Sequence, residues 1–229
     1  MTPSDRQTET SARHLRDPLP SEPLDRAAEW LAEAWKLRAQ PNPNAMTLAT
    51  STREGRPSAR MVLCKEIVPR PGYVVFYTNY LSHKGRELAA NPWAAAVLHF
   101  DALQCQVRIE GMVERAPDAD SDAYFASRSA ASRLSAWASA QSEPINSRED
   151  LQAKVAEAAR RFSGPGAGSG IVVPRPAHWG GYRLWAEAVE LWVEGKDRIH
   201  DRARWSRELT RRADGHFEAG AWTVTRLQP

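Results

Sequence analysis

The chain has 229 residues, 42% of them hydrophobic and 26% charged, a makeup that suits a globular protein with one well-filled core or two small ones. Its 31 Lys and Arg nearly offset 28 Asp and Glu, and the resulting +3 excludes a polybasic nucleic-acid arm. The N-terminus is polar and no apolar run nears the roughly 20 residues that span a bilayer, so neither a nucleic-acid nor a membrane partner is expected. Cys64 and Cys105 form no CxxC, which points to two small buried thiols in a reducing, cytoplasmic setting.

Residues 1–20 are polar and aperiodic and are expected to form a flexible N-terminal segment, with 21–229 as one folded domain. Leu24, Ala27, Ala28, Leu31 and Trp35 recur at helical spacing behind Ser21 and Pro23. That pattern predicts an amphipathic helix capped by Ser21 and ended by Pro41 and Pro43. Strands are predicted over 46–51, 58–66 and 73–78, separated by turn signals at 55–57 and 69–72. Ser82 caps a short helix over 82–90 that Asn91 and Pro92 stop. Strands resume over 93–100 and 105–114. In the latter, Cys105, Val107 and Ile109 alternate with Gln106, Arg108 and Glu110, giving one buried and one polar face. Helices over 119–127 and 148–162 precede a flexible connector carrying Gly164, Gly166, Gly168 and Gly170. The last third reads as strands over 189–194, 197–205 and 222–227. Short strands at hairpin spacing with helices between them predict a mainly β, α+β chain. The expected form is an antiparallel barrel with peripheral helices, not a doubly wound parallel sheet.

The common site motifs are missing. The glycine connector has Ser169 where GxGxxG needs glycine, and no strand precedes it. There is no Walker GxxxxGK and no HExxH. Ser169 lacks the glycine at 167 of a nucleophile elbow, and the six histidines do not pair with cysteines at zinc spacing, so no metal site is expected. Two cationic stretches remain, Arg60 to Lys65 and Arg198 to Arg202. Placed on strands, Arg198, His200 and Arg202 share one face with Ile199 on the other. The two stretches suggest one phosphate-rich pocket assembled from distant parts of the chain. Nine tryptophans add to a core and also suit a site for a flat ring.

Ten segments in order carry a family resemblance: RMVLCK (60–65), VFYTN (75–79), SHKGRELAANP (82–92), QVRIEG (106–111), YFASR (124–128), WASAQS (137–142), HWGGYR (178–183), ELW (190–192), RIHDR (198–202) and the terminal RLQP (226–229). Together they resemble the pyridoxine/pyridoxamine 5′-phosphate oxidase family from about residue 20 to the last residue. The resemblance implies an FMN-binding split β-barrel and a homodimer with two flavins at its interface. It also implies oxidation of pyridoxine or pyridoxamine 5′-phosphate by dioxygen to pyridoxal 5′-phosphate, with hydrogen peroxide and, from the amine, ammonia. The flavin contacts it implies are Arg60, Met61, Val62, Leu63, Lys65, Tyr77, Thr78, His83, Lys84, Gln106, Gln141, Ser142, Trp192 and Arg202. Lys65, Tyr124, Arg128 and Ser132 match the group that binds the substrate phosphate. Arg198 and His200 match the catalytic pair that holds the pyridine ring. Read without the resemblance, Trp192 is a core residue, Gln106 a solvated strand position, and Tyr124 and Arg128 a helix surface.

The chain departs from the family pattern at four places. His83 stands where the family commonly has arginine, Ala130 where it has a second arginine before the phosphate-binding serine, and Cys64 where it has leucine. No tyrosine precedes Tyr73, although the family's N-terminal lid usually carries one. Two other readings stand beside the oxidase. Asn91-Pro92-Trp93 and the LQP ending are similar to a related flavin oxidase of phenazine biosynthesis, and a non-catalytic flavin or pyridoxal phosphate binder would share the fold.

Overall fold

The structure, a computed structural model, describes residues 14–38, 40–162, 172–213 and 217–229. The glycine connector and most of the N-terminal segment lie outside the described residues. Helix α1 (Pro23–Leu37) buries Leu24, Ala27, Trp30 and Ala34, one stripe at spacings of three and four. Its cap is Glu22, whose carboxylate accepts from the Leu24 N–H, and not Ser21. Arg38 ends the helix in the left-handed region at φ 50°, before the prolines are reached, and Trp35 points outward at 49% exposure. The inward stripe runs through Trp30 and Ala34 instead, so Trp35 falls on the solvent flank.

Strands β1 (Ala45–Ser51) and β2 (Pro57–Leu63) form an antiparallel hairpin. The single strand predicted over 58–66 breaks at Cys64 and Lys65 and restarts as β3 (Glu66–Val68). The chain changes partner there: Cys64 N–H donates to Asn44 O beside β1, and Lys65 N–H donates to Val75 O on β4 (Tyr73–Asn79). Helix α2 (His83–Ala90) has the expected Ser82 cap, its Oγ accepting from Gly85 N–H. Strands β5 (Trp93–Phe100) and β6 (Cys105–Arg115) follow as predicted, and Cys105, Val107 and Ile109 are fully buried.

Helices α3 (Asp118–Ser127), α4 (Ala130–Ala138) and α5 (Arg148–Phe162) make a second layer. The sequence reading has no helix at α4, although Ser129 caps it by accepting from Ser132 N–H. Strand β7 (Trp179–Val193) is 15 residues long, where only its last third was expected. Its opening glycines weaken a strand pattern, yet a Cβ on Gly180 would overlap the Tyr80 ring hydroxyl. Strand β8 (Asp201–Ser206) is shorter than the predicted 197–205. Residues 196–198 instead form a tight turn, with Asp197 and Arg198 at φ 56° and 64°. Arg198, His200 and Arg202 therefore do not share one strand wall, and Ile199 is 74% exposed. A small hairpin, β9 (Leu209–Arg211) with β10 (Phe217–Ala219), precedes β11 (Thr223–Leu227).

The large sheet is antiparallel, curls into a half-barrel and runs β11-β8-β7-β6-β5-β1-β2. One edge of β7 pairs with β6 from Tyr182 to Val193, and the other is divided. Residues Trp179 to Trp185 pair with β4, and Ala188 to Val193 pair with β8. The sheet bends at a bulge between Glu110 and Gly111, where a Cβ on Gly111 would overlap the Trp185 carbonyl oxygen. The main core joins α1 to the concave sheet face through Trp30, Met46, Phe76, Ile109, Leu184 and Trp205. Leu15 belongs to it too: its N–H donates to Asp201 Oδ2 at 2.7 Å and its carbonyl accepts from Arg226. Both cysteines are buried and outside any disulfide, and burial pushes the Cys64 thiol up to about 12. Among the described residues no helix is long and apolar enough to cross a membrane. Gly111→Ala should cost about 1–3 kcal/mol, the range for overpacking against a backbone that cannot yield. A urea midpoint equal to wild type would contradict that account of the bulge.

Candidate active site

A cavity of about 920 Å³ opens between the hairpin, β4 and the helical layer. Strand β2 lines it with Arg60, Met61, Val62 and Leu63, and the partner switch after β2 turns Lys65 into it. Tyr77 and Thr78 enter from β4, His83 and Lys84 from the first turn of α2, and Tyr124 and Arg128 from the end of α3. Ser132 of α4 and the following Gln141 and Ser142 close the wall. Fourteen of the residues implied by the resemblance thus surround one space.

Two cationic centres occupy it. Lys84 is buried at the start of α2, with Nζ donating to Gln141 Oε1 (2.9 Å), Thr78 Oγ1 (3.1 Å) and Ser82 Oγ (3.1 Å). Burial, and then the Arg60 charge, pulls its pKa down to about 8. The positive end of the α2 dipole favours an anion at the same place, with the N–H groups of His83, Gly85 and Arg86 already taken by Ser142 Oγ, Ser82 Oγ and Ser82 O. The second centre is Arg128, whose guanidinium lies 4.6 Å from the Trp179 ring centre and 5.5 Å from that of Phe125. Its Nη1 is buried without a hydrogen-bond partner, and burial lowers its pKa. A buried cationic donor left unsatisfied is costly, and an anion in the cavity could supply the missing acceptor. Tyr124 and Tyr77 stack at 4.0 Å, Trp179 continues the stack at 5.5 Å from Tyr77, and Lys65 Nζ sits 5.6 Å above Tyr124. These rings make a flat aromatic wall beside the cations. Burial raises the Tyr77 phenol, which stays neutral.

Glu87 lies behind the cavity wall at 5% exposure. Burial alone would raise its carboxyl, but hydrogen bonds from Thr50, Ser58 and His83 outweigh it and hold the pKa at about 2.

The other five expected residues are elsewhere. Gln106, Trp192 and Arg202 face one another across three adjacent strands on the sheet face away from the core. The His200 ring packs 4.7 Å from that of Trp192, and Arg198 is exposed on the preceding turn. None of the five borders the first cavity, so one chain does not assemble both cationic stretches into one pocket. Arg202 is held by Glu190, its Nε and Nη2 donating to Oε1 at 3.0 and 2.8 Å. Gly195 N–H donates to His200 Nδ1 at 3.2 Å, so a neutral His200 carries its proton on Nε2.

Ser129, Ser135, Ser139 and Trp179 also stand on the cavity wall, although no motif marks them as site residues. Serines at 129, 132, 135 and 139 repeat every three or four residues, a legible polar stripe on one helix face.

The chain matches the family described as pyridoxamine 5′-phosphate oxidase over residues 33–161. It matches the pyridoxine 5′-phosphate oxidase C-terminal dimerisation region over 179–229. The chain belongs to the pyridoxamine 5′-phosphate oxidase family. This family member is 47% identical over 207 residues to the pyridoxine/pyridoxamine 5′-phosphate oxidase of Ralstonia pickettii, covering 90% of this chain and 89% of that one. It is 43% identical over 224 residues to the enzyme of the same name from Rubrobacter xylanophilus, covering 98% and 94%. Among solved structures, PhzG from Burkholderia lata in complex with tetrahydrophenazine-1-carboxylic acid superposes with a TM-score of 0.79 at 34% identity, covering 93% of this chain and 95% of that one. A pyridoxamine 5′-phosphate oxidase-related, FMN binding protein from Nostoc punctiforme shares the fold at a TM-score of 0.63 and 16% identity. The chain is thus a member of an oxidase family with a split-barrel fold, and its last strands carry that family's dimerisation region. Inorganic phosphate should raise the thermal midpoint of the wild type. Arg128→Met, which removes the orphaned donor, should shrink that shift; an undiminished shift by differential scanning fluorimetry would show that the anion binds elsewhere.

Proposed function

We propose that this oxidase-family chain oxidises pyridoxine 5′-phosphate or pyridoxamine 5′-phosphate to pyridoxal 5′-phosphate with FMN and dioxygen. The observation that carries the reading is the buried, unpartnered Nη1 of Arg128 in a cavity that also holds a second buried cation, Lys84. Two cationic centres beside a flat aromatic wall suit two phosphorylated ring molecules, a flavin nucleotide and a pyridine substrate. FMN, when bound, supplies the two-electron acceptor that dioxygen restores.

The residues divide by their surroundings. Arg60, Met61, Val62, Leu63, Lys65, Tyr77, Thr78, His83, Lys84, Gln141 and Ser142 would hold the flavin, with its phosphate at the α2 N-terminus. Lys65, Tyr124, Arg128 and Ser132 would hold the substrate phosphate by charge-assisted hydrogen bonds, which fixes the ring for reaction. Gln106, Trp192, Arg198, His200 and Arg202 would be supplied by a second copy. In this reading the exposed face that carries them docks on the partner, and the homodimer has two flavins at its interface. The Nε2–H of His200 and the Arg198 guanidinium would then meet the oxygen-bearing edge of the pyridine, and the ring stack would exclude water. The alcohol loses two electrons and two protons, which reach dioxygen as hydrogen peroxide. The amine loses the same, takes up one water and releases ammonia. The likeness to PhzG supports a second reading, a tricyclic carboxylate substrate in the same cavity.

Oxygen uptake by the FMN-loaded protein with pyridoxine 5′-phosphate should match pyridoxal 5′-phosphate formed. Turnover of tetrahydrophenazine-1-carboxylic acid alone would favour the second reading, and a yellow protein that consumes no oxygen with either would mark a binding protein. Arg198→Ala should lower kcat/KM about 10²-fold or more, the scale of a lost orienting contact, with FMN content unchanged. Normal kinetics in that variant would remove Arg198 from the site.

A further inference from the structure

Glu87 is an anion at the end of the cavity where an anion is expected to bind. Its carboxylate, on the second turn of α2, is buried and points at the hairpin. Oε1 meets His83 Nε2 at 2.9 Å, one helical turn back. Oε2 accepts from Arg60 Nη2 at 3.2 Å. Thr50 and Ser58 hydroxyls donate to the same group. Arg60 is fully engaged at its tips: Nη1 donates to Leu48 O and Thr50 Oγ1, and Nη2 to Ser58 Oγ and Glu87. Only Nε remains for a ligand. Two basic side chains that border the cavity at this end, Arg60 of β2 and His83 of α2, are thus tied to the one Glu87 carboxylate, beside Lys84.

We propose that Glu87 is a positioning residue for the flavin phosphate, its carboxylate fixing the Arg60 guanidinium and the His83 imidazole. The inference rests on the flavin reading above. Simple Coulomb repulsion from Glu87 would weaken phosphate binding, and loss of its anchoring would weaken it in the opposite experiment. The sign of the effect therefore decides. Anchoring should win, because without the carboxylate Arg60 keeps only the neutral acceptors Leu48 O, Thr50 Oγ1 and Ser58 Oγ, and a less firmly held arginine must lose side-chain freedom at each binding event. The low pKa of the carboxyl agrees with an anion present at every working pH.

The test is titration of flavin-free protein with FMN and with riboflavin, which lacks the phosphate, read by quenching of flavin fluorescence. Glu87→Gln keeps the volume and an acceptor for Thr50 and Ser58 but removes the charge. It should weaken FMN about ten-fold, the scale of one charge-assisted hydrogen bond, and leave riboflavin within about two-fold. Glu87→Ala should show the same selectivity with a larger loss. Tighter FMN binding in Glu87→Gln would show that the carboxylate acts only as a repelling charge and overturn the proposal. Equal losses for both ligands, or failure of both variants to fold by circular dichroism, would assign Glu87 a purely structural role and overturn it as well. A wild-type protein that binds neither flavin would sink the flavin reading itself.

Discussion

The divided edge of β7 is the constraint on which the rest of the structure depends. One strand gives its first half to β4 and its second half to β8, with β6 continuous behind both. At the junction the Ala186 N–H donates to Gly72 O, and its carbonyl is left to a side chain. Arg207 fills that gap: its side chain donates to Ala186 O, Pro71 O and Gly72 O, and its own N–H donates to Glu187 O. Unpaired buried carbonyls would otherwise carry the full cost of desolvation. The Glu110 and Gly111 bulge sits opposite and lets the sheet bend there.

That division also separates the two candidate half-sites. The upper half of β7 brings Trp179 beside Tyr77, and the lower half brings Trp192 beside Gln106 and Arg202. At about 3.3 Å per residue, Trp179 and Trp192 stand roughly 40 Å apart along the strand contour. One chain cannot fold such a span into a single pocket, whereas a second copy docked on the outer face can supply what the first lacks. The match of the C-terminal strands to a dimerisation region agrees with this arrangement.

Both half-sites handle charge in the same way. Each sets an arginine against a buried glutamate: Arg60 on Glu87 near the cavity, and Arg202 on Glu190 on the outer face. Glu190 is 3% exposed and also accepts from Arg108, and Glu110 links Arg108 to Arg204 in the next rung. Arg128 is the exception, with aromatic faces around it and no carboxylate. Among the described residues no carboxylate pairs with it, and its Nη1 is buried without a partner.

Local rules recovered much of this. Alternation in β6 marked its buried face, because strand side chains have a period of two and core contact enforces it. Ser82 and Asn91-Pro92 bounded α2, because capping and proline effects are local. The ordered motifs pointed to the family and to the residues around the cavity. The break at Cys64, the length of β7 and the turn at 196–198 were not legible, since each depends on which distant strand supplies the next hydrogen bond. Gly180 and Gly181 look like strand breakers until Tyr80 and Tyr77 are packed against them. The sequence by itself determined the two cationic stretches, the alternating faces of β6 and the cap and stop of α2, because those follow from side-chain chemistry and short-range spacing. Only the tertiary structure decided that the two cationic stretches fall on separate surfaces, because the sharing of β7 between β4 and β8 is a long-range pairing that no local pattern encodes.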